Sequence, residues 1–182
     1  MRFLFFFIGR NLCSLIGSVI AGVCNMAAGR TAAPAAVTTR SCWGQIVRVV
    51  DGDTVHCVVN GERLILRLMD MDAPEHDQPF GAEATRYLAS LVAGKFAGLQ
   101  LGGQDVYGRT LAHLFVDNQW INGLMVQAGC AWADTRGPYA VTLGAYQQDA
   151  VLAGRGLWHD VTAIRPSEWR STYSQPHTQA TA

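Results

Sequence analysis

The sequence predicts an α+β domain in which five short strands form a small closed OB-like β-barrel, with about three helices packed on one side. Short β-branched runs alternate with turn dipeptides in the first part of the chain. Apolar residues then recur at helical spacing in later segments. The 182 residues are enough for one ordinary domain with a short extension, but not for two domains.

Five segments have the composition of strands. The turn signals Asp51-Gly52-Asp53 and Asn60-Gly61 join the first three, so we expect a three-stranded meander. Gly102-Gly103 is expected to end the fourth strand. Small barrels of this kind commonly bind nucleic acids or oligosaccharides on an open face. The predicted strands are residues 44–50, 54–59, 63–68, 95–101 and 110–116.

Three segments have the pattern of helices. In the first, Ala84, Leu88 and Leu91 recur at helical spacing. The second stops at Gly129. The tail after Pro166 is polar, and we expect it to be frayed. The predicted helices are residues 82–93, 120–128 and 143–152.

The N-terminal segment has the layout of an export signal. Arg2 and Arg10 provide positive charge, residues 12–23 are apolar, and small residues follow. Alternatively, the segment remains as a membrane anchor, or translation starts at Met26 and the protein is cytoplasmic. We otherwise expect a periplasmic, secreted or membrane-anchored protein. The predicted organisation is a signal peptide or anchor (1–29), a flexible linker (30–41), the folded domain (42–160) and a polar tail (161–182).

Charge and cysteine content argue against a broad basic surface for duplex binding and against a zinc site. The whole chain carries 14 basic and 14 acidic residues, but three of the arginines precede the domain. The remaining 11 basic residues are outnumbered by the acidic ones, which argues against a broad basic surface for duplex binding. A small phosphate site with local arginines is still compatible with this balance. None of the five cysteines has CxxC spacing, so a zinc site is not expected.

Three short segments carry groups suited to chemistry at predicted strand ends. Asp51-Gly52-Asp53-Thr54 joins the first two strands, Arg67 is followed five residues later by Asp72-Ala73-Pro74-Glu75, and Asp105-Val106-Tyr107-Gly108-Arg109 precedes the fifth strand. In this order and spacing, over residues 44–158, the motifs resemble the staphylococcal nuclease family. The resemblance implies a five-stranded OB-like barrel with three helices, one Ca²⁺, and hydrolysis of DNA or RNA that leaves a 3′-phosphate.

Phosphodiester hydrolysis requires an activated water and neutralisation of developing charge. A hard cation held by oxygen ligands can position the water and polarise the phosphate. We expect Asp53 and Asp72 to ligate Ca²⁺ directly. The family often has threonine at position 73, ligating through its backbone carbonyl, and Ala73 retains that carbonyl. Pro74 would hold Ala73 extended.

The other site residues are assigned by the same chemistry. Glu75 is expected to orient or deprotonate the water, and Arg67 and Arg109 to clamp the phosphate. Tyr107 would bind the phosphate or stack near a base. The aromatic nucleotide clamp of the family has no clear match here, and Tyr139 is the best candidate for it.

Structural roles compete with these assignments. Asp51 is most simply a turn former, Asp70 and Asp77 are most simply solvated charges, and Arg67 could pair with Glu62 or Glu83. The main rival function is a catalytically idle OB-type module that binds nucleic acid at the cell envelope. A surface scaffold for protein contacts is a third class. Glu75 together with two arginines favours the nuclease, which we expect to be a monomer.

Overall fold

The computed structural model describes residues 40–173. Five long strands follow the order β3-β2-β1-β5-β6, and β3 also pairs in parallel with β6, which closes the barrel. This closure confirms the predicted OB-like α+β fold. The strands are β1 Arg40–Val49, β2 Thr54–Val59, β3 Glu62–Leu68, β4 Met71–Asp72, β5 Phe96–Gln104, β6 Thr110–Val116, β7 Gln119–Trp120 and β8 Trp132–Ala133.

The predicted meander is confirmed at its tightest turn. Asn60 and Gly61 both have positive φ, 51° and 87°, as a two-residue hairpin requires. The turn sets Val59 opposite Glu62, and the same register sets Thr54 opposite Arg67 at the other end of the pair. The hairpin therefore places Arg67 beside the Asp51–Asp53 turn.

The predicted end of the fourth strand is wrong. β5 continues through Gly102 and Gly103 to Gln104, and its pairing with β6 shifts register between Leu101 and Gln104. An irregularity of this kind bends a strand without ending it. A Cβ atom at Gly102 would approach the Met69 sulfur to 3.0 Å, so a larger residue here would require the Met69 side chain to move.

In the described part of the chain, four helices accompany the barrel: α1 Gly81–Val92, α2 Ile121–Gln127, α3 Ala140–Leu152 and α4 Pro166–Tyr173, with a 3₁₀ turn at Gly156–His159. Fully buried side chains such as Ile46, Leu66, Leu88 and Met125 join the barrel and helices in one core. Each such side chain contributes about 1.5–3 kcal/mol of hydrophobic stabilisation. None of the helices within residues 40–173 is long and apolar enough to cross a membrane.

The predicted frayed tail is wrong over residues 166–173, where α4 forms. Pro166 occupies the first helical position and Glu168 lies in the first turn, both of which are ordinary helix-start signals. The predicted signal or anchor segment, and the linker apart from Arg40 and Ser41, lie outside the described residues. Those assignments stay predictions.

Candidate active site

A cavity of about 420 Å³ brings together side chains from five separate parts of the chain. Asp72 borders the cavity through its contacts with two of the lining arginines. Of the predicted site residues, Tyr139 is not among those that line it. The predicted residues in the lining are Asp53, Arg67, Ala73, Glu75, Tyr107 and Arg109, and Asp51, Pro74 and Arg170 complete it.

The turn between β1 and β2 presents Asp53 to this cavity. The backbone N–H of Asp53 donates to Asp51 Oδ1 at 3.0 Å, the contact expected of an aspartate that forms a turn. Gly52 packs closely on its surroundings, since a Cβ atom there would lie 2.6 Å from the Cβ of Ala73. The turn is thereby fixed against the segment that carries Ala73 and Glu75.

Both oxygens of Asp53 have partners although the residue is buried. Oδ1 accepts from the Thr54 hydroxyl at 3.0 Å, and Oδ2 accepts from the Ala73 N–H at 3.2 Å and pairs with Arg67. Burial raises the pKa of the Asp53 carboxyl above its ordinary range, and the Arg67 guanidinium opposes that rise. The position therefore favours a carboxylate only while positive charge is close.

Arg67 connects the two predicted cation ligands. Its Nη1 pairs with Asp53, and its Nη2 donates to Asp72 Oδ1 at 2.7 Å. The alternative partners Glu62 and Glu83 are not used, and Glu83 pairs with Arg86 instead. One guanidinium therefore holds the two carboxylates within a few ångströms of each other.

Arg109 is held in place by the loop that precedes β6. Its Nε donates to Asp105 Oδ2 at 2.7 Å, and one terminal nitrogen lies 3.3 Å from the Thr54 hydroxyl. Asp105 Oδ1 also accepts the backbone N–H groups of Tyr107 and Arg109. The guanidinium lies 5.5 Å from the centre of the exposed Tyr107 ring. A fixed fork and an aromatic ring therefore face the cavity together.

A third arginine, Arg170 on α4, also lines the cavity, and its role was not predicted from the sequence. It pairs with Glu75 through Nη1, and its Nη2 lies 3.4 Å from Asp72 Oδ2. The backbone of Glu75 is fixed as well, because its N–H donates to the Gln78 side chain at 3.1 Å. The helix-start signals of α4 were present in the sequence, but nothing there indicated that the helix packs beside Glu75.

The donor set and charge of the cavity suit a hard divalent cation. Three guanidinium groups face five carboxylates, which leaves two negative charges; the carboxylates belong to Asp51, Asp53, Asp72, Glu75 and Asp105. Within residues 40–173, no group of three or more His, Cys, Asp or Glu side chains is placed to hold a metal ion alone. A cation bound by Asp53 and Asp72 would therefore need backbone or water oxygens, such as the Ala73 carbonyl.

Tyr139 lies instead in a second polar group, which we call the closed cluster: Asp70, His113, Trp120, Asn122 and Tyr139. Its ring packs 4.8 Å, centre to centre, from both His113 and Trp120. The substrate role predicted for Tyr139 is thus not supported by its position, since packing against the core already accounts for it.

The closed cluster also contains Asp70, which is not the solvated loop charge that we expected. The Trp120 indole N–H donates to His113 Nδ1 at 3.2 Å, so Nε2 of the neutral imidazole carries the proton that faces Asp70 Oδ2 at 3.5 Å. Burial lowers the pKa of His113 to about 4. A Cβ atom at Gly137 would collide with the Asp70 carboxylate, so backbone covers this group.

Comparisons with known proteins agree with the geometry. Residues 65–160, which include Arg67, Glu75 and Arg109, match the family model described as staphylococcal nuclease homologue. The chain is 39% identical over 127 residues to a Haemophilus influenzae protein named uncharacterized endonuclease, covering 69% of this chain and 71% of that one. It is 36% identical over 138 residues to a Shigella flexneri micrococcal nuclease, covering 70% and 79%.

Proposed function

Because this chain belongs to the staphylococcal nuclease family, we propose that it is an endonuclease that hydrolyses phosphodiester bonds of DNA or RNA. One observation carries the proposal: guanidinium groups from three separate elements converge with the Glu75 carboxylate on one open cavity. A module that only binds nucleic acid needs the arginines, but it has no need of a carboxylate among them.

The residues of the cavity have different roles in the proposed phosphodiester hydrolysis. Glu75 is the only lining carboxylate outside the Asp51–Asp53 turn, and its backbone is fixed by Gln78, so it can orient a water and accept its proton. Arg109 is held by Asp105 and can present two parallel N–H groups to a phosphate. Arg67 contributes positive charge at the buried side of the same cavity.

We propose that Asp53, Asp72 and the Ala73 carbonyl hold Ca²⁺. Bound there, the ion would neutralise phosphate charge and lower the pKa of a bound water. The support is the all-oxygen donor set and the two uncompensated negative charges around the cavity. We also propose that cleavage leaves 3′-phosphates, as the family resemblance implies.

The test uses the purified chain with end-labelled single-stranded DNA and RNA. We expect cleavage in Ca²⁺, little in Mg²⁺, and none with excess chelator. Treating the products with a phosphatase that acts on 3′ ends should shift their mobility. The matched control is Glu75→Gln, which keeps the size of the side chain and removes the base.

Two results would contradict the proposal. Full cleavage in excess chelator would show that the reaction does not require Ca²⁺. Retention of the labelled strand by the chain without cleavage under any cation would support the idle binding module.

A further inference from the structure

The C-terminal strap, residues 160–173, is fastened to the loop that follows β4. The buried Gln78 side chain donates to the Ile164 carbonyl at 2.7 Å and accepts from the Glu75 N–H. The Trp169 indole N–H lies 3.3 Å from Asp77 Oδ1, and Arg170 pairs with Glu75. These contacts place consecutive residues of α4 at fixed positions beside the active-site cavity.

A second cavity, of about 590 Å³, lies between the strap and this loop, and we call it the strap cavity. Its volume is in the range of small-molecule sites. Apolar and aromatic side chains provide much of its wall, and a few polar groups are added to them. The lining includes Gln78, Phe80, Leu157, His159, Ile164 and Trp169.

Residues that are close in the chain line the strap cavity and the active-site cavity. Trp169 lines the strap cavity and Arg170 lines the active-site cavity, one residue apart on the same helix. In the loop that follows β4, Gln78 lines the strap cavity, and Glu75, three residues earlier, lines the active-site cavity. A nucleotide whose phosphate contacts the arginines can therefore direct its own base, or that of its neighbour, past α4.

One part of the wall of the strap cavity has a conformational cost. Phe80 has φ 70°, a left-handed backbone conformation that a bulky side chain rarely adopts. The conformation starts α1 directly after the Gln78–Gly81 turn, in which the Gly81 N–H donates to the Gln78 carbonyl at 2.9 Å. It also leaves the Phe80 ring on the wall of the strap cavity, packed against the core.

We propose that the strap cavity binds the nucleobase of a nucleotide next to the cleaved phosphate, a subsite that rests on the proposed nuclease function. Trp169 and Phe80 provide aromatic surface for a flat heterocycle, and His159 provides a polar group for its edge. Contact through aromatic faces accepts any base, because every base has a π-face. The subsite therefore adds affinity and positioning without sequence preference.

The experiment uses the full-length chain and 5′-labelled 15-nucleotide oligothymidylates in Ca²⁺. One abasic sugar is moved through the strand, and cleavage at each phosphate is compared with that in the intact strand. In the wild type, an abasic sugar beside a given phosphate should lower cleavage there by about tenfold, as expected for the loss of one stacked base. The position of the minimum shows on which side of the phosphate the base is held.

Two variants remove the subsite in different ways. Trp169→Ala deletes aromatic surface, and Ala163→Trp adds bulk to the wall without deleting any side-chain contact. Both should cleave the intact strand about tenfold more slowly and lose the dependence on the abasic sugar. Trp169→Phe should retain that dependence. Trp43→Ala is the matched control, since Trp43 is 71% exposed and lines neither cavity.

Failure of the subsite and failure of the nuclease assignment give different results. An unchanged abasic profile in both Trp169→Ala and Ala163→Trp, with cleavage intact, would overturn the subsite alone. Equal slowing at every phosphate with the profile retained would also overturn it, because that result indicates a loosened strap. Absence of any cleavage by the wild type would overturn the proposed function. Thermal unfolding of each variant confirms that it is folded.

Discussion

Asp70 and Asp72 are two residues apart in the chain, but they belong to two polar regions with opposite properties. Asp72 borders the open active-site cavity, where its carboxylate contacts Arg67 and Arg170. Asp70 belongs to the closed cluster, where it faces a neutral, almost fully buried His113. Asn122 completes that cluster by accepting from the Leu114 N–H and donating to the Met69 and Ala112 carbonyls.

The difference shows how the surroundings decide what a carboxylate does. In the open cavity, Asp72 and Glu75 are partly exposed and pair with the partly exposed Arg170, so ions and phosphates can exchange with the existing partners. In the closed cluster, burial penalises charge, and neutral hydrogen bonds hold His113 and Asn122. Among the described residues, the buried Asp70 Oδ2 has no hydrogen-bond partner. We therefore expect substitutions in the first region to change activity and those in the second to change stability.

The largest effect should come from Glu75→Gln. Loss of a positioned base should lower turnover by roughly 10²- to 10⁴-fold. Oligonucleotide affinity and thermal stability should change little, because the side chain is partly exposed and keeps its size. Single-turnover cleavage and a binding titration measure both quantities. Unaltered turnover would remove Glu75 from the mechanism.

Arg109→Lys should lower the cleavage rate by roughly 100-fold, about 3 kcal/mol of transition-state stabilisation. Lysine keeps the charge but loses the fork that Asp105 and Thr54 hold in place. Single-turnover cleavage and thermal unfolding are measured on the same preparation. Collapse of stability with normal cleavage by the remaining folded protein would show that Arg109 is structural.

The closed cluster should make stability depend on pH. The pKa of His113 is about 4 in the folded chain, against 6.5 when exposed, so the unfolded chain binds more protons between these values. The contribution of His113 to the free energy of unfolding should therefore fall, by on the order of 3 kcal/mol, as the pH drops from 6.5 to 4. The raised pKa of Asp53 acts in the opposite direction over this range, so the effect of His113 is measured as a difference between variants.

His113→Gln removes this titration while retaining polar partners for Trp120 and Asp70, so the difference between its urea-unfolding profile and that of the wild type isolates the effect. His56→Gln is the control for a histidine outside the cluster. Parallel profiles for the wild type and His113→Gln would contradict the expectation.

Arg170→Ala should strengthen cation binding about fivefold, because it removes a positive charge beside Asp72 and Glu75. Terbium luminescence or calorimetry measures the affinity directly. Arg86→Ala is the matched control, since Arg86 is an exposed helical arginine paired with Glu83. Equal affinities in Arg170→Ala and the wild type would show that the strap does not influence the cation ligands.

The smallest effect should follow removal of residues 1–39. The described residues, 40–173, contain both polar regions and a core of fully buried side chains. The shortened chain should therefore unfold at the same temperature and cleave at the same rate as the whole chain. Insolubility or the absence of a cooperative transition by circular dichroism would show that the domain needs the preceding segment.

Local signals in the sequence determined the barrel and most of the active-site cavity. Turn chemistry at Asn60-Gly61 and the β-branched runs set the register of the first hairpin, and that register alone brings Arg67 beside Asp53. The spacing of Asp72, Glu75 and Arg109 pointed to the same cavity because the first two follow β3 and Arg109 precedes β6, and these two strands pair directly.

Only the tertiary structure decided the surroundings of Asp70, Tyr139 and Arg170, because these depend on contacts between distant segments. The sequence gives no signal that Asp70 is buried, and it is packing against His113 on β6 that buries it. Tyr139 entered the closed cluster through ring packing that has no local signature. Arg170 reaches Glu75 across 95 residues, and no periodicity or turn signal carries information over that distance.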